Sequence, residues 1–188
     1  QSHQHALEIR LKLFGENHAD TAQSYHSIGV TQSCMKSYKS ALQSKEKALQ
    51  IRINLCGENH ADTAQSYHII AVAQHKMKDY KSALECEEKA LEIRLKLFGE
   101  NHADSAQSYN SVGVTQQVMK DYKSALESKE KALEIRLKLF GENHADTAQS
   151  YHNIGVTQHE MKDYQSALEC DKKALEIRLK LFGENHPD

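Results

Sequence analysis

Apolar residues along this chain recur at helical intervals, stop, and then begin again. Over residues 62–103, Tyr67, Ile70, Ala71, Val72, Ala73 and Met77 suit one helical face and not an alternation of period two. A break follows near Lys78-Asp79-Tyr80. A second helix is predicted from about Lys81 to Phe98, where Ala83, Leu84, Ala90, Leu91, Ile93, Leu95, Leu97 and Phe98 make a stripe about half its circumference wide. Gly99 is the expected stop, since glycine takes the left-handed conformation that ends a helix. Asp62, with Gln65 three residues on, is expected to cap the first helix. On the polar face of the second, Glu85 precedes Lys89 and Glu92 precedes Lys96 at i,i+4, the favourable order for helix ion pairs.

The pattern is copied. Phe14-Gly15-Glu16-Asn17-His18-Ala19-Asp20 returns at Cys56, Phe98, Phe140 and Phe182, with a spacing of 42 each time. The chain therefore divides into a half repeat, 1–19, and four repeats, 20–61, 62–103, 104–145 and 146–187, forming a single array. The copies explain the composition: one Met column (Met35, Met77, Met119, Met161) and two Tyr columns account for all 4 Met and 8 Tyr. A period of six heptads would also suit a coiled coil, but a Gly-Glu-Asn-His linker breaks any continuous seam. Ordering the backbone costs ~1–2 kcal/mol per residue, and each buried apolar side chain returns ~1.5–3 kcal/mol. One repeat cannot meet that cost alone, so neighbours are expected to stack.

Small residues sit at set places in each pair of helices. Tyr25, Ile28 and Gly29 on the first helix (A), and Tyr38, Ala41, Ala48 and Leu49 around the second (B), match the tetratricopeptide pattern. So do their equivalents Tyr67, Ile70, Ala71, Tyr80, Ala83 and Ala90, then Tyr109, Val112, Gly113, Tyr122, Ala125 and Ala132, then Tyr151, Ile154, Gly155, Tyr164, Ala167 and Ala174. Gly or Ala on A against Ala on B lets two backbones approach closely. The usual repeat has 34 residues; here eight more follow Arg52, Arg94, Arg136 and Arg178, lengthening helix B by ~12 Å. The run Ala174 to Asp188 resembles the 42-residue repeats of kinesin light chains and nephrocystin-like proteins. The resemblance implies an all-α fold, a right-handed superhelical solenoid of antiparallel helix pairs.

It also implies that helix A lines a concave groove that binds a protein or peptide. The candidate groove residues are Gln23, His26, Val30, Ser33 and Cys34 in the first repeat, and Gln65, His68, Val72, His75 and Lys76 in the second. The third offers Gln107, Asn110, Val114, Gln117 and Val118; the fourth, Gln149, His152, Asn153, Val156, His159 and Glu160. The Val column is constant while its neighbours vary, as on a fixed scaffold carrying a variegated binding strip. Few fixed charges appear there, so the expected ligand is not strongly charged at pH 7. The five groove histidines would change that near pH 6. Kinesin light chains resemble one another in paired Asn residues on helix A; only Asn110 and Asn153 match. The Lys/Asn/Arg set that grips a peptide C-terminus is missing.

Three columns depart from the family pattern. Gln32, Gln74, Gln116 and Gln158 stand where a large residue is usual. Lys45, Glu87, Lys129 and Asp171 stand where helix B is often bulky. Ala19, Ala61, Ala103 and Ala145 replace the proline kept at Pro187.

Composition and charge narrow the function. Lys+Arg number 24 against 26 Asp+Glu, a net charge of -2, which does not suit a phosphate-binding surface. Nucleic acid is therefore not an expected partner. The longest apolar run, Ile69 to Ala73, is far short of the ~20 residues that span a bilayer, and no membrane partner is expected. Gln1 to His5 has no signal-peptide character. His68 and His75, like His152 and His159, lie ~10 Å apart along a helix, too far for one ion with ~2 Å bonds. No metal or other cofactor is expected. The linker histidines His18, His60, His102, His144 and His186 read as loop-to-helix hydrogen bonders. Cys34, Cys56, Cys86 and Cys170 lack metal-site or redox spacing and suit a reducing, cytoplasmic setting. No strained nucleophile turn or phosphate loop is present, so no enzyme is expected. The chain reads as an interaction scaffold, with a self-stacking structural element as the alternative. An excised array with bare terminal helices is expected to associate end to end.

Overall fold

The computed structural model describes residues 2–183. Among these residues there are nine helices and no strand: α1 (Ser2–Phe14), α2 (Ala19–Cys34), α3 (Tyr38–Cys56), α4 (Ala61–Lys76), α5 (Tyr80–Phe98), α6 (Ala103–Val118), α7 (Tyr122–Phe140), α8 (Ala145–Glu160) and α9 (Tyr164–Phe182). The last linker, with His186 and Pro187, lies outside the described residues. Helices α2, α4, α6 and α8 are the A helices; α1, α3, α5, α7 and α9 are the B helices. The fold is all-α, built of antiparallel helix pairs. The chain forms two compact units, residues 1–97 and 98–188.

In the first unit α1 packs on α2, α2 on α3, and α3 on α4. In the second, α6 packs on α7, α7 on α8, and α8 on α9. Each core is lined by small residues: Ala41, Ala64, Ala83, Ala90, Ala106, Ala125 and Ala148 are fully buried. Such side chains let helix axes approach and leave little room for bulk. Glycine on helix A serves the same end. A Cβ built on Gly113 would stand 2.8 Å from Lys129 Cγ and 3.0 Å from the Ala125 carbonyl oxygen. One on Gly29 would stand 2.9 Å from Lys45 Cγ.

The turns differ from expectation in two ways. The residue capping each A helix is histidine and not aspartate. His60 Nδ1 accepts the Asp62 backbone N–H at 3.2 Å, and His18, His102 and His144 do the same for their own aspartates. The cap thus sits two residues before Asp62, at the foot of the preceding linker. Phe14, Phe98 and Phe140 stack on the capping rings at 4.4 Å. The second difference lies between helices A and B, where Lys36, Lys78, Lys120 and Lys162 have φ between 59° and 65°. The Asp79 N–H donates to the Gln74 carbonyl and the Lys78 N–H to the His75 carbonyl, both at 3.0 Å. That is a Schellman closure with lysine in the place glycine usually takes.

The end of helix B is tied to the next A helix. Thr21, Thr63, Ser105 and Thr147 donate their hydroxyls to the carbonyls of Gly15, Gly57, Gly99 and Gly141, at 2.8–3.0 Å. Of the two ion pairs expected on α5, Glu92–Lys96 forms at 2.6 Å. Lys89 instead stands over the Tyr67 ring, 5.4 Å from its centre.

Candidate partner-binding face

On each A helix one strip faces away from its B partner. Val30, Val72, Val114 and Val156 lie on it and are exposed. Gln23, Gln65, Gln107 and Gln149, one turn earlier, are also exposed, as are Cys34, Lys76, Val118, His159 and Glu160. His26, His68, Asn110, His152 and Asn153 are half-buried, as are Ser33, His75 and Gln117. Asn153 Nδ2 donates to Asn110 Oδ1 at 2.7 Å, so the two asparagines that match the kinesin pattern hold one another across adjacent repeats. Gln149 Nε2 donates to Asn153 Oδ1 at 2.8 Å.

Behind this strip lies a column of charge. Lys45, Glu87 and Lys129 on the B helices are buried, and Asp171 is exposed. A buried charge needs partners, and each finds them on helix A. Lys45 Nζ donates to Ser33 Oγ at 3.0 Å. Both Glu87 oxygens lie 3.1 Å from His68 Nδ1. Lys129 Nζ donates to Gln117 Oε1, to the Asn153 carbonyl at 3.1 Å and to Thr157 Oγ1 at 2.7 Å, bridging α6 and α8. Asp171 Oδ1 stands 3.2 Å from His152 Nδ1. The strip is therefore less free of charge than its own residues suggest. Several of the varied polar positions are partners of an ion on the neighbouring helix.

These surroundings move titrations. Burial holds the Lys129 ammonium down to about 8. Burial also lowers Lys45. His26 is held below the usual imidazole range by burial, then by the Arg52 and Lys45 cations. His75 is lowered by burial against the opposing pull of Glu87, with Lys76 adding to the lowering. Its Nε2 is buried without a hydrogen-bond partner, and its ring meets Tyr80 edge-on at 4.9 Å. Two of the five histidines are thus harder to protonate than a free imidazole.

Sequence reasoning missed the arginine at the start of the eight-residue extension. Arg136, buried, donates to Ser150 Oγ at 2.7 Å and the Asp146 carbonyl at 3.2 Å on the following A helix, and to Gln107 Oε1 at 3.1 Å on its own. Arg52 donates to Ser66 Oγ at 2.6 Å, Arg94 to Gln65 Oε1 at 2.9 Å, and Arg178 to Gln149 Oε1 at 3.4 Å. The invariance of this arginine between copies was the signal. The Gln column also has a structural partner. Gln32 and Gln116 accept hydroxyls from Ser44 and Ser128 at 2.8 Å. Where Cys86 and Cys170 replace those serines, the Gln74 and Gln158 amide oxygens are buried without a hydrogen-bond partner. Burial pushes the Cys86 thiol up, against the opposing pull of the Lys89 cation and of its contact with the Gln74 side chain.

All four cysteines are free thiols. Among the described residues no group of three His, Cys, Asp or Glu side chains is placed to hold a metal ion. Within the same residues no helix is long and apolar enough to cross a membrane.

The geometry has counterparts among known proteins. BtubC (BKLC) from P. vanneervenii superposes with a TM-score of 0.85 at 25% identity, over 99% of this chain and 74% of that one. A putative kinesin light chain of nearly identical TPR-like repeats from Podosopora anserina gives 0.84 at 19% identity, over 96% and 85% of the two chains. A clustered mitochondria protein homolog from Culex quinquefasciatus is 43% identical over 42 residues, 22% of this chain and 3% of that protein. The chain thus aligns with only a small fraction of that relative's length. The tetratricopeptide repeat model matches residues 1–54, 35–96, 75–138 and 104–180. With the model matching nearly end to end, and helix pairs closed by Ala and Gly contacts, the chain belongs to the tetratricopeptide repeat family.

Proposed function

We propose that this chain is a protein-interaction module that recognises a peptide or partner helix on the helix-A strip. Tetratricopeptide repeats in general mediate protein–protein interaction or assembly. The observation that carries the finer reading is the exposed valine column. Val30, Val72, Val114 and Val156 stay exposed on helices whose opposite face is almost wholly buried. Around them lie the exposed Gln23, Gln65, Gln107 and Gln149, the last three with their amide oxygens held by Arg94, Arg136 and Arg178, and the unequal set Cys34, Lys76, Val118 and Glu160. Within each unit a pair of exposed valines, Val30 and Val72 or Val114 and Val156, gives a ligand area to bury; the unequal neighbours give it register. Half-buried His26, His68, Asn110 and His152 shape the floor; Glu87 and Asp171 hold His68 and His152, and Asn153 holds Asn110.

Capture from a displayed peptide library tests the reading, using the whole chain and a Val72→Asp/Val114→Asp variant. Loss of the captured sequences by the variant, with helicity unchanged by circular dichroism, is the expected result. Equal capture by both proteins would move the binding surface elsewhere.

A further inference from the structure

We infer that the helix-A strip of the first repeat takes an acidic side chain of its ligand, an aspartate or glutamate carboxylate, onto the Lys45 ammonium beside Ser33. The inference rests on the reading of that strip as a peptide-binding face and adds the chemistry of one position on it.

The same buried lysine occurs twice in the molecule, and its two copies are satisfied unequally. An ammonium carries three N–H donors. Lys129 places its own on Gln117 Oε1, the Asn153 carbonyl and Thr157 Oγ1. Among the described residues Lys45 Nζ has one acceptor, Ser33 Oγ at 3.0 Å. The sequence explains the loss. Two periods earlier, Gln117 becomes the shorter Ser33, Asn153 becomes Ile69 and Thr157 becomes Ala73, whose methyl accepts nothing. Glu87, the third buried member of the column, has both oxygens on His68. Lys45, only 6% exposed, is therefore the least satisfied of the three buried ions. A buried charge in that state gains from any anionic acceptor that reaches it.

The strip is the side from which one reaches it. Gly29 leaves the lysine stem a path: a Cβ there would stand 2.9 Å from Lys45 Cγ and 3.5 Å from its Cε. The amine then ends at Ser33, half-buried on the strip. The Ser33 hydroxyl donates to the Gly29 carbonyl at 2.9 Å, so it offers the ammonium a lone pair and no charge. The positive field extends along the strip. His26 is held below the usual imidazole range by burial, then by the Arg52 and Lys45 cations. Val30, beside Gly29 in the chain, is exposed. A ligand that covers Val30 thus brings its neighbouring side chains to the ammonium, which favours a carboxylate attached to a peptide over a free ion.

Two arms test the proposal. The first needs no peptide. The Lys45 and Lys129 Cε resonances of the 188-residue chain are followed by NMR as sodium acetate replaces sodium chloride at constant ionic strength. A progressive shift at Lys45, with Lys129 unmoved, is expected. No shift at Lys45, or equal shifts at both, would overturn the proposal whatever the strip binds.

The second arm is capture from a displayed peptide library. The parent chain is expected to enrich Asp or Glu at one position of the captured sequences. Lys45→Met keeps an unbranched stem and drops the charge. It is expected to lose that preference and to bind the parent's peptides ~10-fold more weakly. Lys129→Met is expected to change neither, and circular dichroism to show both variants as helical as the parent. Captured sequences without an acidic position, or an acidic preference that survives Lys45→Met, overturn the proposal and leave peptide binding on the strip intact. Capture undiminished in Val72→Asp/Val114→Asp overturns the strip reading instead, and the acetate arm alone then supports or overturns the anion site at Lys45.

Discussion

Repeats 62–103 and 104–145 share a plan and solve its central problem with opposite charges. The first buries Glu87, the second Lys129, at the same place on helix B. Glu87 needs a donor and takes His68 Nδ1. Lys129 needs acceptors and takes an amide, a carbonyl and a hydroxyl. The helix-A residue in the matching place of the repeat differs as well: it is Ala71 in the first, and Gly113 in the second, where a Cβ would stand 2.8 Å from Lys129 Cγ. The position tolerates either sign because its partners lie on the adjoining A helices and vary with it. Part of the apparent variegation of the strip is thus internal accommodation.

The most disruptive test removes what the two repeats share. Ala90 is fully buried, and Ala90→Arg forces a cation into the helix contact. A loss on the order of 4 kcal/mol is expected in urea unfolding; an unchanged midpoint would contradict the packing. Gly113→Ala attacks the third repeat alone and is expected to cost ~1–3 kcal/mol by overpacking against Lys129. Adding Lys129→Glu and Asn110→His, which copies the second repeat's solution, is expected to recover part of that loss. Additive costs in the triple variant would show that the three positions are not one unit.

The charge itself gives a pH signature. Lys129 titrates near 8 in the folded protein, below the 10.5 of a free lysine. Between those values the unfolded chain binds more protons, so this group makes stability rise as pH rises from about 8 to 10.5. Lys129→Met is expected to remove that rise, seen as the difference between the two proteins' melting temperatures across the range. A parallel pH dependence would refute the assignment. Cys86→Ser supplies Gln74 with the hydroxyl that Ser128 already gives Gln116. It is expected to stabilise the second repeat by ~1 kcal/mol in chemical denaturation, with no gain contradicting the missing bond. Smallest is Lys78→Gly, expected to add ~0.5 kcal/mol by relieving a left-handed lysine. A lower melting temperature would show that the lysine side chain matters more than its backbone strain.

Much of this was legible from spacing. Helix pairs, their small-residue contacts, the glycine stops and the linker histidines follow from local periodicity, which the backbone obeys before any long-range contact forms. The histidine cap was misassigned to Asp62 because imidazole Nδ1 becomes an acceptor only in the geometry the linker imposes. The left-handed lysines carried no sign of their own, since lysine is not a turn residue. The strip was read from helical register alone. Register places a residue on a face but does not show whether that face meets water or a buried ion twelve or nineteen residues away.

By itself, the sequence determined an all-α repeat of 42 residues and the columns that hold it together, because period and side-chain size act within one or two turns of chain. Tertiary structure alone decided that Arg136 joins two A helices and that Lys129 reaches Thr157. It also decided that Gln74 lacks the bond Gln116 makes. Those outcomes depend on distances between helices, and such distances exist only once the small residues have let the helices close.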